Sequence, residues 1–239
     1  MKRVLSSATI LLLLFLSSCS KNNETSNPPT SDSPEAKAAY DNNSFGVYKG
    51  VIVGSTGIVK LVINNGDNLI RAYITIDAHT KDTLTSTASF TSGQAIANAS
   101  FVGRISTMKF SVNANGTNPN IVNITIQGHS NVTGLLVKET STHAVSCYEG
   151  TYTGQNTGGD AVSGIFNSVT IDTTIIGIVR ETITGYTDVV NGGIANGSIT
   201  AHGNVSTGAT FSGTISLTQC NGTWVNGTYS GTWTGTKTL

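Results

Sequence analysis

Short apolar or alternating runs, separated by turn residues, fill the chain from residue 45 onward. Alternation of this kind, bounded by Gly, Asn, Ser and Asp, predicts β-strands. Successive strands joined by short turns indicate antiparallel pairing, because parallel strands need long crossover connections. The sequence therefore predicts an all-β fold, an antiparallel meander that forms a barrel or a sandwich. The predicted strands cover residues 47–53, 58–63, 69–76, 84–90, 99–105, 108–112, 121–127, 132–137, 148–154, 162–171, 175–183, 194–201, 209–217, 223–225 and 228–234.

Two local patterns refine this prediction. Asn65-Gly66 lies between the second and third runs and predicts a hairpin with a type I′ turn, since this turn needs positive φ at both central residues. The closing segment, residues 227–233, alternates aromatic residues with Gly and Thr. An aromatic ring that packs across a neighbouring glycine is a common way to fill a tightly curved sheet.

A weak internal repeat relates the two halves of this region. A G-x-Y-x-G pattern surrounds both Tyr48 and Tyr152, which are 104 residues apart, and the surroundings of Phe101 and Phe211 also match, 110 residues apart. Two similar β units, over 45–140 and 147–239, would produce such a pattern. Two halves of one barrel or sandwich would do the same, and so would shared composition alone.

The amino terminus has the three parts of a secretory signal. Lys2 and Arg3 are followed by an apolar core over residues 10–16 and then by small residues. The core is too short to span a hydrocarbon layer of about 30 Å, which argues against a transmembrane helix.

The tetrapeptide Leu16-Ser17-Ser18-Cys19 resembles the lipobox of bacterial lipoproteins. That resemblance implies that residues 1–18 are removed and that Cys19 carries acyl chains such as palmitate, which attach the protein to a membrane. Stable attachment by acyl chains needs more than one of them. The alternative is an ordinary signal peptide with a chance cysteine.

Residues 19–44 are rich in Ser, Asn and Pro and predict a lipidated flexible tether. Ser20 stands where an inner-membrane lipoprotein of enteric-type bacteria tends to have Asp, so the resemblance favours the outer membrane. Residues 20–24 are a faint version of the acidic export tag of Bacteroidota lipoproteins. The predicted location is thus the outer membrane of the cell envelope, on its periplasmic face or at the cell surface.

Charge excludes one class of partner. Without Lys2 and Arg3 the 13 basic residues become 11 against 13 acidic residues, a net charge of −2. A nearly neutral chain without a basic patch has no electrostatic basis for binding nucleic acid. The predicted partner is therefore the membrane, through the lipid on Cys19, and the sequence identifies neither a ligand nor a protein partner.

Besides Cys19, four residues are candidates for covalent chemistry. Cys147 and Cys220 form an even pair in an oxidising compartment and are candidates for a disulfide, with two separate free thiols as the alternative. Thr83 and Thr173 each follow an aspartate in a short pattern that resembles the acceptor of Bacteroidota protein O-glycosylation.

No catalytic, metal or cofactor motif is recognisable. The four histidines show no short metal-ligand spacing, and residues 128–132 begin like the nucleophile elbow G-x-S-x-G but lack its last glycine. No glycine-rich phosphate loop precedes a helix, so no cofactor is predicted. A glycosidase needs two carboxylates in one cleft, and the sequence neither supports nor excludes such a pair.

Three functions follow, in order of preference. The first is a non-catalytic lipoprotein whose β-domain binds a small ligand or partner, in the interior or mouth of a barrel as in lipocalins. The second is a structural or adhesive cell-surface protein. The third is a glycan-active enzyme, for which two inward carboxylates in one cleft are the minimum requirement.

Overall fold

The computed structural model describes residues 33–204 and 208–239. Within these residues the protein is all-β, with two eight-stranded antiparallel sheets, which confirms the predicted fold class. No helix in this part of the chain has the length and apolar character needed to cross a membrane. Cys19, the lipobox and the predicted signal peptide lie outside the described residues.

The strands follow one another along the chain with short connections. The first sheet contains β1 (Gly46–Val53), β2 (Gly57–Ile63), β3 (Ile70–Ile76), β4 (Thr80–Thr85), β5 (Ile96–Val102), β6 (Ser106–Val112), β7 (Asn120–Ile126) and β8 (Thr133–Lys138). The second sheet contains β9 (Val145–Asn156), β10 (Ala161–Ile171), β11 (Thr174–Glu181), β12 (Thr187–Ala195), β13 (Ser198–Gly203), β14 (Thr210–Ile215), β15 (Gln219–Asn226) and β16 (Tyr229–Lys237). Within residues 33–45, one 3-10 turn, Ala38–Tyr40, precedes them.

Both sheets are up-and-down meanders that curl into barrels. In the second barrel, β16 pairs with β9 along nine residues and closes the sheet. In the first barrel, β8 pairs with β1, whereas β7 and β8 form no ladder, so this barrel is nearly closed. The ladder between β4 and β5 is reduced to one pair, Thr85 with Val102.

Asp82 reinforces that weak junction between β4 and β5. Its buried carboxylate accepts hydrogen bonds from the backbone N–H groups of Arg104, Ile105 and Ser106 and from the Ser106 hydroxyl, at 2.6–3.0 Å. Burial acts to raise the pKa of Asp82, but these hydrogen bonds outweigh it and hold the pKa below its usual value. A side chain thus supplies the contacts that the backbone ladder lacks.

One turn prediction and two strand predictions need correction. The connection after β2 spans residues 64–69, with positive φ at Asn64, Gly66 and Asn68, so it is not a two-residue type I′ turn. The two-residue turn with positive φ at both positions is Asn196-Gly197, between β12 and β13. Residues 194–201, predicted as a single strand, therefore contain the end of β12, this turn and the start of β13. Residues 187–193, which form most of β12, were not predicted as a strand. The strand predicted over 84–90 is also misplaced, because β4 ends at residue 85.

Of the two sequence matches in the internal repeat, one joins equivalent strands of the two barrels and the other does not. Tyr48 and Tyr152 lie on β1 and β9, the first strands of the two barrels, and both side chains belong to their barrel's core. Phe101 lies on the fifth strand of its barrel, whereas Phe211 lies on the sixth strand. The second match therefore joins non-equivalent strands, and Gly/Thr/aromatic composition explains it.

The outer face of β1 packs against the second barrel. Every residue of β1 is buried, because one face lines the first barrel and the other contacts β9, β10 and β11. Val51 packs in this contact with Val169 and Ile178. The Asn167 side chain donates a hydrogen bond to the carbonyl of Ile52 at 2.8 Å and accepts one from the backbone of Gly150. Apolar and polar contacts together join the two barrels.

A buried charge cluster holds the segment that precedes β1. Glu139, in the connection between the barrels, has no exposed surface and accepts hydrogen bonds from the backbone of Glu35 (2.6 Å) and Ala36 (3.2 Å) and from Lys49 Nζ (2.6 Å). Residues 33–44 are thus fixed against the barrels, although the sequence assigns them to the flexible tether. The physical reason is that the backbone N–H groups of Glu35 and Ala36 are the donors to Oε1 of Glu139, an oxygen that would otherwise be buried without a hydrogen bond.

Candidate ligand-binding site

A pocket of ≈ 390 Å³ opens at one end of the second barrel. The connections β9–β10, β11–β12 and β15–β16 surround this end. Residues from seven strands and two connections line the pocket. Those that matter below are Tyr152, Glu181, Asp188, Phe211, Trp224 and Tyr229.

Aromatic rings close the floor of the pocket. Phe166 lies edge-on to Trp233, with ring centroids 5.1 Å apart, and its ring is 5.3 Å from that of Phe211. These three side chains are buried and fill the middle of the barrel. The pocket is therefore a cup at the mouth and not a channel through the barrel.

Trp224 and Tyr229, on β15 and β16, provide an aromatic wall, which continues to Tyr152 on β9. The rings of Tyr152 and Trp224 meet edge to face, with centroids 5.6 Å apart. The indole N–H of Trp224 donates to the carbonyl of Thr153 at 3.1 Å, so the indole has no further N–H to offer a ligand. Burial raises the pKa of Tyr152 to about 12, and the charge of Glu181 adds to the effect.

Two carboxylates lie on the other wall. Glu181 ends β11, and Asp188 lies near the start of β12. Because β11 and β12 are four strands away from β15 and β16 in an eight-stranded barrel, the carboxylates face the Trp224 and Tyr229 rings across the mouth. Asp188 is paired with Val179 in the ladder, so Glu181 is its diagonal neighbour on the same wall, with about 7–8 Å between such positions.

The aromatic rings can occupy these places because glycines lie beneath them. Trp224 covers Gly154, and Trp233 covers Gly213. A Cβ built on Gly154 would lie 2.5 Å from the Trp224 ring, and one on Gly213 would lie 2.7 Å from the Trp233 ring. The predicted packing of aromatic rings across glycines is confirmed at these positions, and it explains how a narrow barrel holds several large rings.

Cys147 and Cys220 are free thiols on opposite faces of the barrel wall. Cys147 points outward into the contact with β1, and Cys220 points into the barrel core. Of the two alternatives for this pair, the structure therefore has the free thiols and not the disulfide. Burial is the main cause that raises the pKa of each thiol to about 12.

The two candidate glycosylation residues are both exposed. Thr83 lies on β4 beside the buried Asp82, and Thr173 lies in the tight connection between β10 and β11. Neither residue is near the pocket, and modification of either stays a prediction.

Within the described residues, no group of three or more His, Cys, Asp or Glu side chains is placed to hold a metal ion. His129 instead lies 3.4 Å from Asp77, outside the second barrel. Lys138, at the end of β8, donates to the carbonyls of Asn43 and Phe45 and has its pKa lowered to about 8, chiefly by burial. This lysine is occupied by structural contacts.

Sequence reasoning did not identify the residues of the pocket. In the sequence, the aromatic residues of the pocket are ordinary strand residues (Tyr152, Trp224 and Tyr229). Its acidic residues, Glu181 and Asp188, are two of many scattered carboxylates. Only the closure of the barrel, with β16 next to β9, brings them around one mouth.

Comparisons with known proteins add no family assignment: no family model, no curated protein and no solved structure matches this chain.

Proposed function

We propose that this protein is a lipid-anchored lipoprotein of the outer membrane whose second barrel binds a small ligand without catalysis. The observation that carries the ligand-binding proposal is the pocket of ≈ 390 Å³ at the barrel mouth, with an apolar floor and a few convergent polar groups. Ligand sites have volumes of about 300–1,000 Å³ and this mixture of linings. Twenty buried hydrophobic residues, in contrast, fill the first barrel, so we assign it a structural role.

Native mass spectrometry of the full-length protein, extracted from its native membrane, tests ligand binding. We expect one non-covalently bound small molecule for each chain, released on denaturation. Val162 points into the pocket, and Val162→Phe should remove the bound molecule by filling the space. Val225, on the outer surface of β15, provides the matched control, and Val225→Phe should retain it. A wild-type protein without a bound molecule, or equal occupancy in Val162→Phe, refutes the proposal.

The lipid anchor is tested by metabolic labelling with palmitate. The lipobox ending in Cys19 supports acylation at that residue. The wild-type protein should incorporate label and Cys19→Ala should not, whereas Cys147→Ala, which changes a buried thiol, should be labelled normally. Label in Cys19→Ala at the wild-type level contradicts the anchor.

A second candidate, glycoside hydrolysis, is favoured by one observation: Glu181 and Asp188 both line the pocket. Two inward carboxylates in one cleft are the minimum requirement for that reaction. Glycosidases place their carboxyl groups on either side of the scissile bond, whereas these two are diagonal neighbours on one wall. We therefore rank binding first. Hydrolysis of envelope glycans that is lost in both Glu181→Gln and Asp188→Asn would reverse this order.

A further inference from the structure

We propose that the ligand of the mouth pocket is an organic cation, a small molecule that carries an ammonium group on an apolar body. This inference rests on the proposed ligand-binding function and adds the chemical class of the ligand. Its basis is the arrangement of an acidic wall opposite an aromatic wall across one mouth.

The acidic wall lacks a counter-charge. Asp188 is 8% exposed, and its Oδ1 accepts a hydrogen bond from the backbone of Val189 at 2.8 Å. Glu181 accepts one from the Thr184 hydroxyl. Among the residues that the structure describes, neither carboxylate is in an ion pair, and no Lys, Arg or His lines the pocket.

A largely buried carboxylate without a cation is unfavourable, because it loses hydration and gains no opposite charge. The buried carboxylate of Glu139 and the partly buried carboxylate of Glu35 show how this chain solves the problem elsewhere, since both lie within 3.0 Å of Lys49 Nζ. Asp188 has no such partner among residues 33–204 and 208–239. A cationic ligand would supply it, whereas an anionic ligand such as a fatty acid would be repelled.

The aromatic wall suits the same ligand. Aromatic ring faces attract cations within about 6 Å, and the effect is strongest for tryptophan. The Trp224 N–H is already bonded to Thr153, so this residue offers its ring and not a donor. Tyr229 adds a second ring to this wall, and Tyr186, in the connection between β11 and β12, adds a ring on the side of the carboxylates. An ammonium group between the two walls would be stabilised from both sides.

The test uses two probes of the same shape that differ in charge. Choline is the cationic probe, and 3,3-dimethylbutan-1-ol is its neutral counterpart, with carbon in place of nitrogen. Titrations of the full-length protein are followed by tryptophan fluorescence, since Trp224 lines the pocket. We expect choline to bind at least about tenfold more tightly than the alcohol.

Charge-removing variants locate the effect. Asp188→Asn and Glu181→Gln should each weaken choline binding by about tenfold or more and leave binding of the alcohol unchanged. Asp172→Asn removes the same charge from an exposed turn at the other end of the barrel and should change neither. Glu181 lies at the rim of the mouth, so its variant keeps the test valid if Asp188→Asn fails to fold.

The outcomes separate the two proposals. Equal affinity for both probes, or a neutral sugar or an anion as the bound molecule in native mass spectra, overturns the cationic class and leaves ligand binding intact. No binding of either probe, together with no bound molecule in the wild-type protein, overturns both proposals. Preferential choline binding that all three charge variants reduce equally also overturns the inference, because the effect would then come from net charge.

Discussion

Glutamine in place of Glu139 tests whether the buried charge cluster joins the amino-terminal segment to both barrels. The two carboxylate oxygens of Glu139 receive four donors: the backbone N–H groups of Glu35 and Ala36 on Oε1, and Lys49 Nζ and the Val145 N–H on Oε2. A glutamine side chain has one oxygen and one NH₂ group. In either orientation, its NH₂ would face two donors.

The size of the effect follows from burial. Glu139 and Lys49 have no exposed surface. Burial acts to lower the pKa of Lys49, but the hydrogen bonds and charges of Glu139 and Glu35 outweigh it and leave the pKa raised. Removing one partner of a buried pair costs about 3–5 kcal/mol. We expect the lower end of that range, because Lys49 Nζ keeps the Glu35 carboxylate at 3.0 Å. Total unfolding free energies are about 5–15 kcal/mol, so Glu139→Gln should lose a large part of the stability.

Urea unfolding of the full-length protein measures this loss by linear extrapolation. Both tryptophans of the chain lie in the second barrel, so their fluorescence reports on that barrel, and far-UV circular dichroism reports on both. Glu181→Gln, the same substitution at a residue without an ion pair, should change the unfolding free energy by less than about 1 kcal/mol.

A double-mutant cycle with Lys49→Met separates the ion pair from the backbone contacts. Because the two side chains share one interaction, the double variant should be less destabilised than the sum of the single variants. A loss below about 1 kcal/mol for Glu139→Gln would refute the reasoning, because it would mean that the four donors find other partners.

Three further predictions concern stability and reactivity. Gly213→Ala should destabilise the second barrel by about 1–3 kcal/mol in urea unfolding, because its Cβ would collide with the carbonyl oxygen of Asn221 (2.1 Å) and with the Trp233 indole (2.7 Å). Gly193→Ala, where a Cβ meets only an ordinary contact at 3.8 Å, should be close to neutral. The depressed pKa of Asp82 contributes stability that is present above its unfolded pKa of about 3.9 and lost as pH falls through the lower folded pKa. Asp82→Asn should therefore flatten the acid side of the stability profile below about pH 4, and an unchanged profile would contradict the assignment. Cys147 and Cys220 should resist thiol reagents at pH 8 until the protein is unfolded in denaturant, because burial raises the pKa of both thiols to about 12; labelling of the native protein, read by mass spectrometry, would show otherwise.

The fold class could be predicted because alternation and turn residues are local signals. Gly57–Ile63 and Ala161–Ile171 follow the predicted runs to within one residue at each end. Prediction failed where local signals conflict. The residues 194–201 are apolar enough to suggest one strand, and the Asn196-Gly197 turn within them was overlooked. An Asn-Gly pair marks a two-residue hairpin only where the flanking strands are in register, and register depends on distant strands.

The pocket could not be predicted, because it depends on closure of the barrel. Tyr152 on β9 and Trp224 on β15 are 72 positions apart in sequence. Their rings meet because β16 pairs with both strands and closes the barrel. Whether Cys147 and Cys220 form a disulfide could not be predicted either. Both residues lie on strands of one barrel, but the two-residue period of each strand points one thiol outward and the other inward. The sequence shows that side chains alternate between the two faces of a strand, but it does not show which face points into the barrel.

The two barrels share a topology and differ in how their interiors are filled, and this difference places the ligand site. The first barrel is filled mainly by aliphatic side chains, such as Leu61 and Ile74. In the second barrel glycines alternate with large aromatic residues, so the side-chain volume is concentrated where the rings of Phe166 and Trp233 meet. Space is therefore left above that layer, at the mouth. If this is correct, enlarging an inward glycine near the floor should displace a ring and alter the pocket, whereas the same change in the first barrel should alter stability alone.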